Sequence, residues 1–271
     1  MTPPLLSLKD LVVGFPTRGG HTNVIRGVNF DLAPGETLGM VGESGSGKTT
    51  IGRAILGLAP VRGGSISFRG RLISNISRAE RRSLAGDIQA VFQDPYSSLN
   101  PAMTVESILV EPLAAAGVEE GTARVRELLD AVGLPSDAGS RYPREFSGGQ
   151  RQRIAIARAL ALRPSVIVCD EPTSALDVST QATVLKLFRD LQQATGVAYI
   201  FISHDLGVVS NISDRIAVLY QGEIMEIGEA AQVTAEPRHP YTKRLQLAAP
   251  LADPRKQRAR RLQRQALAKA G

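Results

Sequence analysis

Gly42-Glu-Ser-Gly-Ser-Gly-Lys-Thr-Thr50 fits the pattern G-x-x-x-x-G-K-[ST], and the chemistry that pattern can do is to grip phosphate. Gly42, Gly45 and Gly47 have no Cβ, so the backbone can wrap an anion closely. Successive N–H groups, from about Ser44 through Ser46 and Lys48 to Thr49, would then point at its oxygens. A helix starting at the end of the loop adds the partial positive charge of its N-terminus. Lys48 would reach the β- and γ-phosphates of a nucleoside triphosphate and the Thr49 hydroxyl would ligate Mg²⁺. Thr50, at the helix start, would lie near the α-phosphate.

Further along, Val166-Ile-Val-Cys-Asp170 is an apolar run ending in an acid and followed at once by Glu171. Beside a bound nucleotide, Asp170 would hold Mg²⁺ directly or through water, and Glu171 could orient and polarise the attacking water. The plainer alternative is a pair of solvated charges at a strand end. Cys169, the only cysteine of the chain, sits in the same run. There is thus neither a disulfide framework nor a Cys/His cluster for a metal, and Cys169 reads as a small buried filler in a reducing compartment.

These residues need a frame. Glu36–Val41 is a short apolar strand leading into the glycine loop, and Lys48–Leu58 carries helical spacing through Ile51, Ile55 and Leu58, giving strand, phosphate loop and helix in order. Leu5–Phe15 and Asn23–Ala33 alternate apolar and polar side chains around a Gly/Pro/Thr/Arg run, which predicts paired edge strands. A strand ends near Phe92, after which Thr104–Ala116 and Thr122–Val132 have helical patterns. Helix-like Gly149–Leu162, strand Val166–Cys169, helix-like Ser179–Thr195 and strands Val197–Ile202 and Arg215–Leu219 follow. That alternation predicts an α/β fold with a mostly parallel sheet and a helical subdomain inserted at about 94–162. No internal repeat is present, and no low-complexity segment other than the basic end.

Within this frame, Phe146-Ser-Gly-Gly-Gln-Arg-Gln-Arg153 resembles the signature of ABC ATPases, in which Leu more often stands where Phe146 is. Ser147, Gly148 and Gly149 present a hydroxyl and unhindered amides at the start of a helix-like run from Gln150, a second anion-binding helix end. The resemblance implies a P-loop NTPase fold with an N-terminal antiparallel β subdomain, and ATP and Mg²⁺ as cofactors. It also implies a shared site, in which Ser147–Gln150 of one subunit faces the γ-phosphate held by the loop of another. Taken singly, it places Phe15 on the adenine, where Tyr is usual, the alternative being an ordinary strand-end aromatic. It puts Gln93 on Mg²⁺ and water, Asp177 of Ser174-Ala-Leu-Asp177 in a loop crossing the subunit interface, and His204 of Ile202-Ser-His-Asp205 on the γ-phosphate. The catalytic set it implies is Glu171, His204, Gln93 and Lys48, and the metal set Thr49, Gln93 and Asp170. His21 and His239 receive no such role.

Three stretches, Gln93-Asp-Pro-Tyr-Ser-Ser-Leu-Asn-Pro101, Ser174-Ala-Leu-Asp-Val178 and His239-Pro-Tyr-Thr242, resemble the oligopeptide/dipeptide/nickel importer ATPases, a likeness covering about residues 5–250. That group implies a second, non-identical ATPase subunit, two transmembrane permease subunits and an extracytoplasmic solute-binding protein. Its cargo is peptides, glutathione, nickel complexes or other small solutes. No cysteine follows Cys169, so no iron–sulfur centre is expected. The competing reading is an ABC protein without a permease, acting on ribosomes or DNA or in enzyme assembly.

Composition narrows the classes further. At 271 residues with 43% hydrophobic content the chain can bury a large core, yet no run reaches the roughly 18 apolar residues of a spanning helix, and the start lacks the form of a signal peptide. The expected place is therefore peripheral, on the cytoplasmic face of a membrane. The net charge of +6 does not point to nucleic acid. Seven of the 32 Lys and Arg but one of the 26 Asp and Glu fall from Leu251 onward, which leaves a neutral body of 25 each. Residues 1–250 are read as the ATPase domain and 251–271 as a basic tail, either solvated or in contact with anionic lipid.

Overall fold

The structure is a computed structural model that describes residues 3–94, 98–118 and 121–248. The basic tail, and Pro95, Tyr96 and Ser97 of the first importer-like stretch, lie outside the described residues.

Two sheets form the frame. In the first, β1 (Leu6–Thr17) pairs antiparallel with β2 (Gly20–Leu32) and, on its other side, with β4 (Val61–Phe68), which leads to β5 (Arg71–Leu72); the order is β2-β1-β4-β5. The expectation of two edge strands is therefore corrected. β2 is an edge, but β1 is interior, with Leu6, Leu8, Leu11 and Val13 buried. β4 carries no clear strand pattern in the sequence, because Gly63 and Gly64 break its alternation. Gly64 has φ +69°, and a Cβ there would lie 2.2 Å from the carbonyl oxygens of Lys9 and Asp10, at the register shift between Lys9 and Val12.

The second sheet has the order β10-β9-β3-β8-β7-β6. It consists of β3 (Thr37–Val41), β6 (Ile88–Val91), β7 (Val166–Asp170), β8 (Ala198–Ser203) and β9 (Arg215–Tyr220), all parallel, with β10 (Glu223–Glu229) antiparallel at the edge. Its central strands are continuous apolar runs because both faces are covered. Side chains alternate between two cores. Ile167, Cys169, Tyr199, Phe201, Ile216 and Val218 join the core on the helical side, whereas Val166, Val168, Ile200, Ile202, Ala217 and Leu219 join the core shared with the first sheet. On the helical side Phe188 meets Tyr199 and Phe201 edge-to-face at 5.4 and 5.6 Å, and each such pair adds about 0.5–1.5 kcal/mol beyond burial.

The helices are α1 (Lys48–Ile55), α2 (Arg78–Ser83), α3 (Val105–Ala115), α4 (Gly121–Ala131), α5 (Gly148–Leu160), α6 (Val178–Thr195), α7 (Leu206–Ile212), α8 (Ala230–Ala235) and α9 (Pro240–Ala248). α3, α4 and α5 fall between β6 and β7, with short 3₁₀ turns among them. α1 is shorter than its apolar spacing suggested. Gly57 adopts φ +73°, and Leu58 N–H bonds back to Arg53 O at 2.7 Å, which closes the helix before Leu58.

Candidate functional site

Gln93, Asp170, Glu171, His204 and the glycine loop all lie at or just past the C-terminal ends of neighbouring parallel strands, where open α/β sheets bind ligands. The register sets this out. Val41 of β3 pairs with Ser203 of β8, Ile202 with Asp170 of β7, and Cys169 with Val91 of β6, so the four strands end nearly level. A cavity of about 640 Å³ opens there. Ser44, Gly45, Gly47, Lys48, Thr49 and Thr50 line one wall, Val24 of β2 another, and Gln93, Glu171 and His204 the rest.

The loop is held in place by its contacts. Lys48 is buried, and its ammonium donates to the carbonyls of Gly42 at 2.8 Å and Glu43 at 2.9 Å. Burial lowers its pKa, against the pull of the Glu171 and Asp170 carboxylates. Gly47 has φ +108° and caps α1 without a side-chain bond, leaving the first-turn amides of that helix free of a side-chain cap. At Gly42 a Cβ would come within 2.1 Å of the Leu219 carbonyl oxygen. Behind the loop, the β9–β10 turn donates Gly222 N–H to Ser46 O at 2.9 Å, and the Tyr241 hydroxyl accepts from Glu43 N–H at 3.4 Å.

Opposite the loop, the Thr49 hydroxyl donates to Asp170 Oδ1 at 2.8 Å. Burial raises the Asp170 pKa, and the Thr49 bond works against that rise. Glu171 sits in the left-handed region at φ +50°, a conformation that costs a residue with a Cβ about 1–2 kcal/mol. Its amide bonds to Ile202 O at 2.9 Å, and its Oε2 lies 3.2 Å from His204 Nδ1. The Glu171 side chain is 21% exposed and that of His204 58%, so the pair stands at the cavity mouth.

Other expected residues sit elsewhere. Ser147 is the N-cap of α5, accepting from Gln150 N–H at 3.3 Å while Gln150 Oε1 accepts from Ser147 N–H at 2.9 Å, a reciprocal capping box. Ser147, Gly148, Gly149 and Gln150 do not line the cavity. Asp177 is the N-cap of α6, accepting from the amides of Ser179 and Thr180 and from both their hydroxyls, which hold its carboxyl far below the ordinary value. Phe15 is 38% exposed on β1 and is not among the lining residues. Val24, which lines the cavity, and Tyr241, which touches the loop from behind, carry no sign of these places in the sequence. The His-Pro-Tyr-Thr string was visible, but its contact with Glu43 spans 198 residues of sequence.

The residues fit ATP and Mg²⁺. A cradle of glycine amides beside a buried ammonium suits polyphosphate, and the oxygen donors of Thr49, Asp170 and Gln93 suit a hard, oxygen-seeking cation. Among the described residues no group of three or more His, Cys, Asp and Glu could hold a metal by itself.

Comparison with known proteins agrees with this chemistry. The family model described as ABC transporter matches residues 25–174. The glutathione import ATP-binding protein GsiA of Escherichia coli O157:H7 and that of Salmonella typhi are each 50% identical over 269 residues, covering 96% of this chain but 43% of their own length. The chain thus spans less than half the length of these relatives. Among solved structures, the dimeric post-hydrolysis state of an ATP-binding cassette bound to ADP and Pi superposes with TM-score 0.74 at 28% identity, covering 83% of this chain and 98% of the other. CbiO1 of Clostridium perfringens, part of the ABC transporter complex CbiONQ, gives TM-score 0.77 at 27% identity, over 87% and 92%.

Proposed function

The chain belongs to the ABC transporter family, and from that premise we propose that it is an ATP-binding, ATP-hydrolysing subunit that powers solute import through an ABC permease. One observation carries the reading: a single cavity gathers the phosphate loop, Lys48, Thr49, Gln93, Glu171 and His204. The glycine-loop amides and α1 N-terminus bind the phosphates, and Lys48, held by the loop carbonyls with a donor to spare, offsets charge on the β- and γ-oxygens. Thr49, Asp170 and Gln93 would hold Mg²⁺, which supplies Lewis-acid stabilisation of the phosphate charge. Glu171 orients water in line with the γ-phosphate and polarises it, while His204, fixed by Glu171 at 3.2 Å, is placed to contact that phosphate.

Ser147–Gln150 lie outside the cavity, which supports a site completed by the signature segment of a second ATPase subunit, with Asp177 and its loop at the junction. Resemblance to the peptide/nickel group favours a non-identical partner. The further partners are two transmembrane permease subunits and an extracytoplasmic solute-binding protein, and the helices between β6 and β7 form the inserted helical subdomain. Among the described residues no helix is long and apolar enough to cross a membrane, which accords with peripheral attachment to the cytoplasmic face. The glutathione importers among the relatives favour di- or oligopeptide-like cargo.

The test is Glu171→Gln. The variant retains ATP affinity and, with its partner, accumulates as a closed pair, while hydrolysis falls at least about 100-fold. Wild-type turnover by this variant would remove Glu171 from the chemistry.

A further inference from the structure

The His239-Pro-Tyr-Thr242 stretch marks a likeness to one importer group, yet the reaction scheme gives it no task. In the fold it opens α9, and its Tyr241 side chain is 4% exposed, tilted against Tyr220 with ring centroids 4.4 Å apart. The segment is anchored firmly. The Glu226 carboxylate accepts from the amides of Arg238 at 2.9 Å and His239 at 3.0 Å, and His239 Nδ1 accepts from Tyr241 N–H at 3.1 Å. The ring is thereby fixed behind the phosphate loop.

What its hydroxyl meets is specific. Glu43 N–H, which donates to Tyr241 at 3.4 Å, belongs to the same peptide unit as the Gly42 carbonyl, which accepts from Lys48 Nζ at 2.8 Å. That peptide is therefore held at both ends, by Tyr241 and by Lys48. An ammonium carries three donors, so Lys48 can keep the Gly42 and Glu43 carbonyls and turn the remaining one to a phosphate. The bond from Gly222 to Ser46 O braces the loop three residues further on and leaves this limb untouched. We propose that Tyr241 is a positioning residue for nucleotide binding: its hydroxyl fixes the Gly42–Glu43 peptide, whose carbonyl in turn holds the Lys48 ammonium in place for the phosphates. This rests on the ATP-binding reading above.

The test compares the full chain with Tyr241→Phe, which keeps the ring, and with Tyr220→Phe, which alters a hydroxyl on the stacked neighbour. Hydrogen exchange at the Glu43 amide without nucleotide reports the contact itself, and titration with Mg-ADP and steady-state ATP kinetics report its use. Tyr241→Phe is expected to exchange Glu43 about tenfold faster and to weaken nucleotide affinity and raise KM about 5- to 10-fold. It should leave kcat within about twofold and the melting temperature nearly unchanged, with Tyr220→Phe like wild type throughout. Wild-type exchange and affinity in Tyr241→Phe overturn the proposal, as does a general loss of protection with a collapse in melting temperature, which marks a merely structural ring. Faster Glu43 exchange in a chain whose wild type binds no nucleotide refutes the ATP-binding reading and leaves the loop contact standing.

Discussion

Gly42 has room for no side chain, because a Cβ would fall 2.1 Å from the Leu219 carbonyl oxygen, and backbone cannot give way as a flexible side chain can. Gly42→Ala must push the start of the loop away from β9, and the expected result is at least a tenfold loss of ATP affinity by titration, equivalent to about 1.4 kcal/mol. Residues of this kind were legible in sequence because each directly follows an apolar strand run: Gly42 after Val41, Asp170 and Glu171 after Cys169, His204 after Ile202 and Ser203. The left-handed backbone of Glu171 was not legible, since Glu carries no compositional mark of φ +50° in the way glycine does. Nor was the contact of Tyr241, since residues 198 apart share no local pattern.

Among the elements, α6 shows how one residue can serve two purposes. Asp177 closes the Ser174–Asp177 loop and also satisfies the first amides of an 18-residue helix whose Val184, Leu185, Phe188 and Leu191 are buried. Asp177→Ala removes the cap, and a melting temperature lower by about 2–4 °C is expected in a thermal scan, whatever happens to turnover. A melt like wild type would mean that the cap contributes little to stability. Long periodic helices and the buried parallel strands were readable within a residue or two. α2 was not, although Ser77-Arg-Ala-Glu80 spells a capping box that the structure forms, with Glu80 N–H donating to Ser77 Oγ at 3.2 Å. Six residues without one buried side chain give no hydrophobic period to detect.

For the molecule as a whole, the central sheet separates two cores, and the chain after β9 crosses back to brace the loop that follows β3. Glu226 fastens that return. Burial raises its pKa, but the amides of Arg238 and His239 and the Gln232 side chain outweigh burial and hold it down to about 2. A carboxylate lowered in the folded state stabilises above its ordinary value of 4.5 and loses that contribution as pH falls through about 2. Glu226→Gln should therefore melt several degrees below wild type at pH 7, with the gap narrowing steadily below pH 4.5; a gap that stays constant down to pH 2.5 would exclude the charged form as the anchor.

The interior position of Cys169 has a practical consequence. The sole sulfhydryl of the chain is sealed within β7, and burial pushes its pKa well up, so it offers no thiolate to an alkylating dye. The surface is accordingly blank to maleimides without any native residue being removed. A cysteine put in place of Val178, which is 83% exposed beside Asp177, would be a unique labelling point for testing whether the proposed second subunit approaches this loop.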